Sequence, residues 1–250
     1  MKFYIDDKEI KTVITNAETS GSLELVSRMA LFSYIYDSSF ENYKAKTGSN
    51  VLIKDDNNEN VFQGNITSIT QSKDKKNVLI QAQDFLYPLL NTKITGRFKG
   101  LFLPVLKDIV KEFEVINTIK EYLTKQVNVL SLGQLSKYDI ISVISRKIYG
   151  EEVKIYLDGN SKMKFLLPDV SGSTATFTFG KNIISASFTS ENKKNISSIK
   201  TLENKDVVSG SVIKIVDEVN QNSGYFIVTK DKHAYGKINT MELELKERKI

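Results

Sequence analysis

The sequence contains no cysteine and no tryptophan, and it has only one histidine and three prolines among 250 residues. Without cysteine the chain forms no disulfide, offers no thiolate nucleophile and builds no cysteine-ligated zinc or iron–sulfur site. The single histidine, His233, excludes metal sites made from several histidines. No apolar run approaches the roughly 18 residues of a membrane span, so we predict no transmembrane segment.

The first residues carry charges where a signal peptide needs an apolar core, which predicts a protein made and kept in a cytoplasm until assembly or lysis. The formal net charge is +5, and the excess of basic residues is spread along the chain with a mild bias after residue 92. Proteins that bind nucleic acid usually gather their basic residues on one face. The charge pattern therefore allows contact with a polyanion but does not indicate one.

Alternation of apolar and polar residues with a period of two dominates the first part of the chain and predicts strands. The runs lie at residues 3–5, 23–25, 29–35, 51–53, 62–66 and 78–82. Polar clusters at residues 55–60 and 72–77 have the length and composition of hairpin loops. This part predicts a β-domain.

Between about residues 101 and 149 the apolar period changes to nearly four, which favours helices. The first predicted helix has Pro104 in its first turn, and the third begins at Ser136 and ends at Gly150. A second short helix is predicted between them. The apolar faces of the three helices are Leu106, Ile109, Val110 and Phe113; Ile116, Ile119 and Leu123; and Ile140, Ile141, Val143, Ile144 and Ile148.

Strand patterns return after residue 150. A hairpin is predicted at residues 153–167 with its turn at 158–160, followed by strands at 177–179, 183–188, 196–202, 211–216, 225–229 and 240–245. We therefore predict an α+β, mainly β fold, with two barrel-like β-domains flanking a small helical insert. The predicted units are residues 1–95 for the first β-domain, 96–150 for the insert, 151–172 for the hairpin and linker, and 173–250 for the second β-domain.

By residue type His233 is the one candidate general base at neutral pH, and Asp231 lies two residues before it. A catalytic triad also needs a nucleophile, and the sequence contains no nucleophile-elbow or Ser-x-x-Lys signature. We therefore interpret His233 as a structural histidine at the surface or in a hairpin.

The acidic residues do not indicate a metal-binding or catalytic site either. The cluster at residues 55–60 lacks the glycine and terminal glutamate of a calcium loop, which favours a hairpin tip. The pairs Asp6/Asp7 and Glu151/Glu152 are adjacent, and neighbouring side chains on a strand point to opposite faces, so we interpret them as surface charges. Glycine-rich phosphate loops are absent from the sequence. We predict no catalytic, cofactor-binding or metal-binding residue, no cofactor and no enzymatic activity.

Five groups of segments follow one another in a characteristic order: Gly21 to Phe32; Phe62 to Ile66 with Val78 to Leu86; Tyr138 to Asn160; Gly180 to Ser187; and Asn222 to Leu245. Together they resemble the baseplate hub proteins of contractile phage tails or phage-tail-like bacteriocins, a family also described as late-control-D-like or phage-like-element tail hubs. The resemblance spans nearly the whole chain, and it assigns Arg28 no more than a packing role.

The resemblance implies a structural hub in which a homotrimeric ring joins the sixfold tail tube to the central threefold spike and lines the ejection channel. Its implied partners are the tail tube protein, the central spike, baseplate wedge proteins and the tape-measure protein, with DNA only in transit. The implied location is the virion baseplate or a tail-like particle, assembled in the bacterial host cytoplasm. The sequence leaves phage and bacteriocin equally open.

Two other functions remain open at this stage. A β-barrel that binds nucleic acid or polysaccharide needs little sequence motif, because basic grooves and aromatic side chains suffice. A tail-associated hydrolase would need two carboxylates facing each other across a cleft.

Overall fold

The computed structural model describes residues 1–25, 27–36, 45–73, 76–115, 125–150, 154–158, 160–166, 173–188, 196–218 and 222–248. Strands account for 58% and helices for 13% of the described residues, so the predicted mainly β class is confirmed. The strands are β1 (Lys2–Ile5), β2 (Lys8–Glu9), β3 (Ile14–Ser22), β4 (Met29–Ile35), β5 (Asn50–Lys54), β6 (Asn60–Gln71), β7 (Asn77–Asp84), β8 (Lys93–Leu101), β9 (Gln126–Ser136), β10 (Lys154–Leu157), β11 (Met163–Leu166), β12 (Ser173–Thr178), β13 (Ile183–Phe188), β14 (Ile196–Leu202), β15 (Val212–Asp217), β16 (Asn222–Ala234) and β17 (Thr240–Glu247). The helices are α1 (Tyr87–Asn91), α2 (Phe102–Ile109) and α3 (Lys137–Tyr149).

Thirteen of the described strands form one curled sheet, and two two-stranded ribbons, β8–β9 and β10–β11, lie apart from it. The order along the sheet is β13-β14-β17-β16-β3-β4-β7-β6-β5-β1-β2, with β15 beside β16 and β12 beside β15. All pairs in this sheet are antiparallel except β12 with β15.

Strand β16 joins the two β-rich parts of the chain. Its first half, up to Ile227, pairs with β15, and its second half, from Lys230 to Ala234, pairs with β3. On its other side β17 runs along most of its length. The amino-terminal and carboxy-terminal strands therefore share a continuous hydrogen-bonded sheet through the β16–β3 pair.

Buried apolar side chains fall into three clusters. The amino-terminal cluster lies among β1 to β7, the central cluster among the helices and the two ribbons, and the carboxy-terminal cluster among β12 to β17. Fully buried members include Phe32, Ile53 and Ile80 in the first; Phe102, Ile140 and Ile155 in the second; and Val228, Met241 and Leu243 in the third. Burial of such side chains is the main force that stabilises each part.

Helix α3 has the ends that the sequence predicted. The Ser136 hydroxyl accepts a hydrogen bond from the backbone N–H of Asp139 at 3.0 Å, which satisfies a free donor of the first turn. Gly150 follows the helix with φ of 79°, a conformation that glycine adopts without strain. Helix α2 also has Pro104 in its first turn, but it ends at Ile109, before Phe113. The second predicted helix, at residues 116–123, lies outside the described residues.

A β-ribbon that was not predicted from the sequence crosses the predicted start of the insert, because β8 runs from Lys93 to Leu101. Strands β8 and β9 pair in this ribbon, with register shifts between Ile94 and Gly96 and between Phe98 and Gly100. Bulges of this kind break the period of two. In β9 the half-buried Leu130, Leu132 and Leu135 consequently have irregular spacing, which does not read as a strand.

Three local predictions are corrected in the first β-rich part. Residues 23–25 form no strand, and Leu25 there is 58% exposed. Strand β4 exists as predicted, but its buried face is Ala30, Phe32 and Tyr34 rather than the alternate set. Asp6 and Asp7 lie in the β1–β2 turn, not on a strand. Both have positive φ, which this tight turn requires and which aspartate tolerates better than most residues.

Candidate functional site

Five deeply buried polar side chains, four of them ionisable, meet where β3, β4, β7 and β16 come together. We name this group the junction network: Thr19, Arg28, Asp84, Asp231 and His233. Each is at least nine-tenths buried. A buried charge is costly unless it is paired and hydrogen-bonded, so the partners of each group decide what the network does.

Arg28 and Asp231 form the central ion pair. Nη2 of Arg28 lies 3.3 Å from Oδ2 of Asp231 and donates to the Thr19 hydroxyl at 3.3 Å. The other carboxylate oxygen of Asp231 accepts from the backbone N–H of Ser209 at 2.7 Å. Burial alone would raise the pKa of Asp231, but the charge of Arg28 and the hydrogen bond from His233 lower it to about 2. Asp231 is therefore an anion at neutral pH.

His233 is 1% exposed, which corrects the prediction of a surface position. Strand β16 extends to Ala234, so His233 belongs to the strand and not to its connection with β17. Its Nε2 lies 3.1 Å from the carbonyl oxygen of Val207 and 3.4 Å from Oδ2 of Asp231. Its Nδ1 lies 3.6 Å from Oε1 of Glu203. Burial would lower the pKa of His233, but the carboxylates of Asp231 and Glu203 beside its ring raise it overall.

Asp84 fixes the start of β4. Its carboxylate accepts hydrogen bonds from the backbone N–H groups of Arg28, at 3.0 Å, and Leu86, at 3.1 Å. Burial raises the pKa of Asp84 to about 6, although these two hydrogen bonds oppose the shift. Nearby, Nζ of the buried Lys154 donates to the carbonyl oxygens of Ser22 and Leu25. Strand β10 is thereby tied to the β3–β4 connection.

The geometry of the network suits support rather than catalysis. His233 directs Nε2 at a carboxylate and a backbone carbonyl, not at a hydroxyl nucleophile. With the ring closed off from solvent, a substrate has no route to it. The network therefore holds two segments against β16: the segment around Val207 and Ser209, and the connection between β3 and β4.

A groove of about 920 Å³ runs over one face of the curled sheet. Its floor includes two ion pairs between neighbouring strands, Lys200–Glu242 at 2.8 Å and Lys230–Glu244 at 3.0 Å. Leu25, Tyr87 and Leu90 add exposed apolar surface to its walls. Among the described residues that line the groove, Glu242 and Glu244 are each paired with a lysine of the adjacent strand and Asp231 is paired with Arg28. Glu24 is the one other carboxylate among them, and glycoside hydrolysis needs two.

The other acidic residues singled out from the sequence are placed as follows. Asp55 accepts from the backbone N–H of Glu59 at 2.8 Å and closes the β5–β6 hairpin, which confirms the predicted turn. The Asp6 carboxylate accepts from the Asn50 backbone at 2.8 Å and has a structural role. Glu151 and Glu152 lie outside the described residues. In the part of the chain that the structure describes, no group of three or more acidic or histidine side chains is placed to hold a metal, and no helix is long and apolar enough to cross a membrane.

The junction network was not predicted from the sequence. Four of its five members are polar residues within or beside β-alternation: Thr19, Asp84, Asp231 and His233. A charge at a core-facing strand position is a usable signal for a buried pair. The partner of such a charge depends on the β16–β3 pairing. For Asp231 the partner is Arg28, which lies more than 200 residues earlier in the sequence.

The same fold occurs in solved tail proteins. A tail protein from Neisseria meningitidis MC58 superposes with a TM-score of 0.68, over 99% of this chain and 95% of that chain, at 12% identity. The chain has a phage-tail fold. The 43 kDa tail protein of prophage MuSo2 from Shewanella oneidensis gives a TM-score of 0.71 over 98% and 95% of the two chains, at 13% identity.

A third similar structure extends the likeness to secretion machines. The E. coli c3393 protein, described as a component of the type VI secretion system with structural similarity to T4 bacteriophage tail proteins gp27 and gp5, gives a TM-score of 0.59. The alignment covers 100% of this chain and 77% of that chain, at 10% identity. No protein-family model and no curated protein sequence matches this chain. The likeness is therefore one of fold, shared by phage tail and baseplate-like proteins.

The raised pKa of His233 predicts a specific pH dependence of stability. A group whose pKa is higher in the folded than in the unfolded chain adds stability below its unfolded pKa and loses it as pH rises through the folded value. We expect the native protein to melt at a higher temperature than His233→Gln. The difference between the two melting temperatures should be largest near pH 6 and should become smaller towards pH 9. Thermal melts of both proteins across this range test it, and a gap that widens with pH would contradict it.

Proposed function

We propose that the chain is a structural baseplate hub of a contractile tail, forming a ring that joins the sixfold tail tube to the central threefold spike and lines the ejection channel. The observation that carries the proposal is the likeness to two tail proteins over almost the whole of each chain. The ordered segments noted in the sequence support the hub assignment in particular. No observation on the groove or the network favours hydrolysis, so we propose a structural and not an enzymatic role.

The division of the chain fits this role. We propose the units 1–95, 96–150, 151–172 and 173–250. The amino-terminal and carboxy-terminal clusters of buried apolar side chains lie within the first and last of these units, whereas the central cluster runs from Leu86 to Phe165 and packs the insert against the hairpin. Two β-domains in each of three subunits would present six similar units to a sixfold tube and threefold symmetry to a spike. The junction network would keep the two β-domains in a fixed relation, which a ring under load requires.

The proposed partners are the tail tube protein, the central spike, wedge proteins and the tape-measure protein, with DNA passing only in transit. The proposed location is the baseplate of a virion or tail-like particle that assembles in the host cytoplasm. The solution mass, measured by light scattering alone and after addition of the tube and spike proteins from the same tail, tests the ring. We expect three times the chain mass in at least one of these mixtures; a monomer in all of them would refute the ring.

An exposed sheet edge is the natural place for subunit contact. Strand β13 ends the described sheet, and its Ile184 and Phe188 are 54% and 41% exposed. An unpaired edge with apolar side chains is prone to pair with another chain, and lysine on such an edge prevents pairing. We expect Ile184→Lys to reduce the trimer fraction at least tenfold while changing the melting temperature by only a few degrees.

The matched control is Val13→Lys, which places the same charge at a residue that is 63% exposed and lies before β3. Analytical ultracentrifugation of both variants reads out the assembly. If Ile184→Lys assembles as well as the native chain, the β13 edge is not the contact, even where the native chain forms a ring.

A further inference from the structure

The ribbon made by β8 and β9 has one face that carries positive charge and no negative charge. Lys93, Arg97 and Lys99 lie at alternate positions of β8 and are all exposed, as is Thr95 between them. The two strands contain no aspartate or glutamate. In the described part of the chain, no ion pair involves any of the three basic residues, whereas the lysines on β14 and β16 pair with glutamates of β17.

The alternation follows from the pleat of the strand. Ile94 and Phe98 point to the other face and pack against the central cluster, so the basic side chains must point outwards. At a rise of about 3.3 Å per residue, the Cα atoms of Lys93 and Lys99 are about 20 Å apart along the strand, and Arg97 lies between them. The bulge at Gln134 is held in place because its backbone N–H donates to the Thr95 hydroxyl at 3.1 Å. The spacing of the charges is therefore fixed by the ribbon.

The neighbouring side chains decide which partner fits. On β9 the exposed residues Gln126, Asn128 and Ser131 carry neutral amides and a hydroxyl. Leu101, at the end of β8, is the one exposed large apolar residue in the described ribbon. Protein interfaces need a cluster of buried apolar anchors, and this face lacks one. Lysine, arginine, serine, threonine, asparagine and glutamine are the side chains that contact phosphate and sugar.

From these observations we propose that the outer face of the β8–β9 ribbon binds the phosphate backbone of nucleic acid, without reading its sequence. The contact uses Lys93, Arg97 and Lys99 as cations, with Thr95 and Ser131 as neutral donors. It goes beyond the ring proposed above, because it is a property of the single chain and does not depend on assembly. With three cations it is weak and salt-dependent, which suits a polyanion that moves past the surface.

The test is fluorescence anisotropy with a labelled 20-nucleotide DNA of mixed sequence, single-stranded and duplex, from 25 to 200 mM salt. Three phosphate contacts predict a slope of about −2.7 in log affinity against log salt for duplex, so a fourfold rise in salt weakens binding about 40-fold. The triple variant Lys93→Gln, Arg97→Gln, Lys99→Gln should lose this salt-dependent binding. Its melting temperature is compared with that of the native chain to verify folding.

The control variant is Lys181→Gln, Lys200→Gln, Lys230→Gln, which removes the same charge from lysines paired with glutamates. It should keep most of the native affinity. Absence of binding by the native chain at 25 mM salt, or an equal loss in both variants, overturns the proposal. Equal competition by polyglutamate of matched charge also overturns it and indicates an acidic protein instead. Because the monomer suffices, these outcomes are independent of the ring measurement.

Discussion

Replacing Asp231 with alanine is expected to lower the free energy of unfolding by about 3–5 kcal/mol, the range found when one member of a buried ion pair is removed. The substitution leaves the guanidinium of Arg28 buried without its carboxylate and removes the acceptor of the Ser209 backbone N–H. His233 also loses one of the groups that raise its pKa. Since domains are stable by only about 5–15 kcal/mol, we expect a large fall in the denaturant midpoint.

Two comparisons separate the ion pair from a general effect of mutation. Glu244→Gln removes a carboxylate from the solvent-exposed pair with Lys230 and should cost less than about 1 kcal/mol. The double variant Arg28→Met, Asp231→Leu removes both buried charges and should recover part of the loss, because no unpaired ion remains. Urea unfolding followed by circular dichroism measures all of them. If Asp231→Ala costs no more than Glu244→Gln, the network does not stabilise the junction.

Strands β13, β14, β15 and β17 were predicted to within one or two residues of their observed ends, whereas β12 begins four residues before the predicted 177–179 and β16 extends from Asn222 to Ala234 rather than from 225 to 229. Strand β17, with buried Met241 and Leu243 between glutamates, is the clearest case of regular alternation. Helix α3 was equally predictable, since capping by Ser136 and Gly150 is a local effect encoded within a few residues. In these elements the observed structure agrees with the local preferences of the residues, so they could be predicted without knowledge of tertiary contacts.

The ribbon and the junction were not predictable in the same way. Both bulges lie in β9 and break its period of two, and in β8 two of the inward positions are the glycines Gly96 and Gly100, which carry no apolar side chain to mark a strand. The position of His233 depends on how far β16 extends, and that is set by its pairing with β3, a strand near the other end of the chain. The burial of a polar residue there follows from long-range topology, which periodicity does not contain.

The structure explains why glycine occupies two positions that were noted in the sequence only for their resemblance to hub proteins. Gly21 pairs with Asp231 across β3 and β16. A Cβ at Gly21 would lie 2.8 Å from Oδ1 of Asp231 and 3.4 Å from Cγ of Arg28. The absence of a side chain therefore makes room for the ion pair.

Gly64 is the second such residue, and we expect Gly64→Ala to destabilise the protein by about 3 kcal/mol, at the upper end of the cost of overpacking. A Cβ there would lie 2.6 Å from the carbonyl carbon of Gln83 and 2.8 Å from Cα of Asp84, both in the backbone of β7. Backbone atoms cannot rotate away as a long side chain can, so β6 and β7 would have to separate. That movement would also disturb Asp84, whose carboxylate holds the backbone of Arg28.

The matched control for this prediction is Gly236→Ala, because a Cβ at Gly236 has no neighbour within 4 Å. Gly236 lies in the β16–β17 turn, away from the β6–β7 pair. We expect this variant to melt within a few degrees of the native chain, whereas Gly64→Ala should melt far lower and show faster amide exchange along β6 and β7. Equal melting temperatures for the two variants would mean that β6 and β7 separate to admit the Cβ without loss of stability. The close approach of the strands would then not require a glycine at position 64.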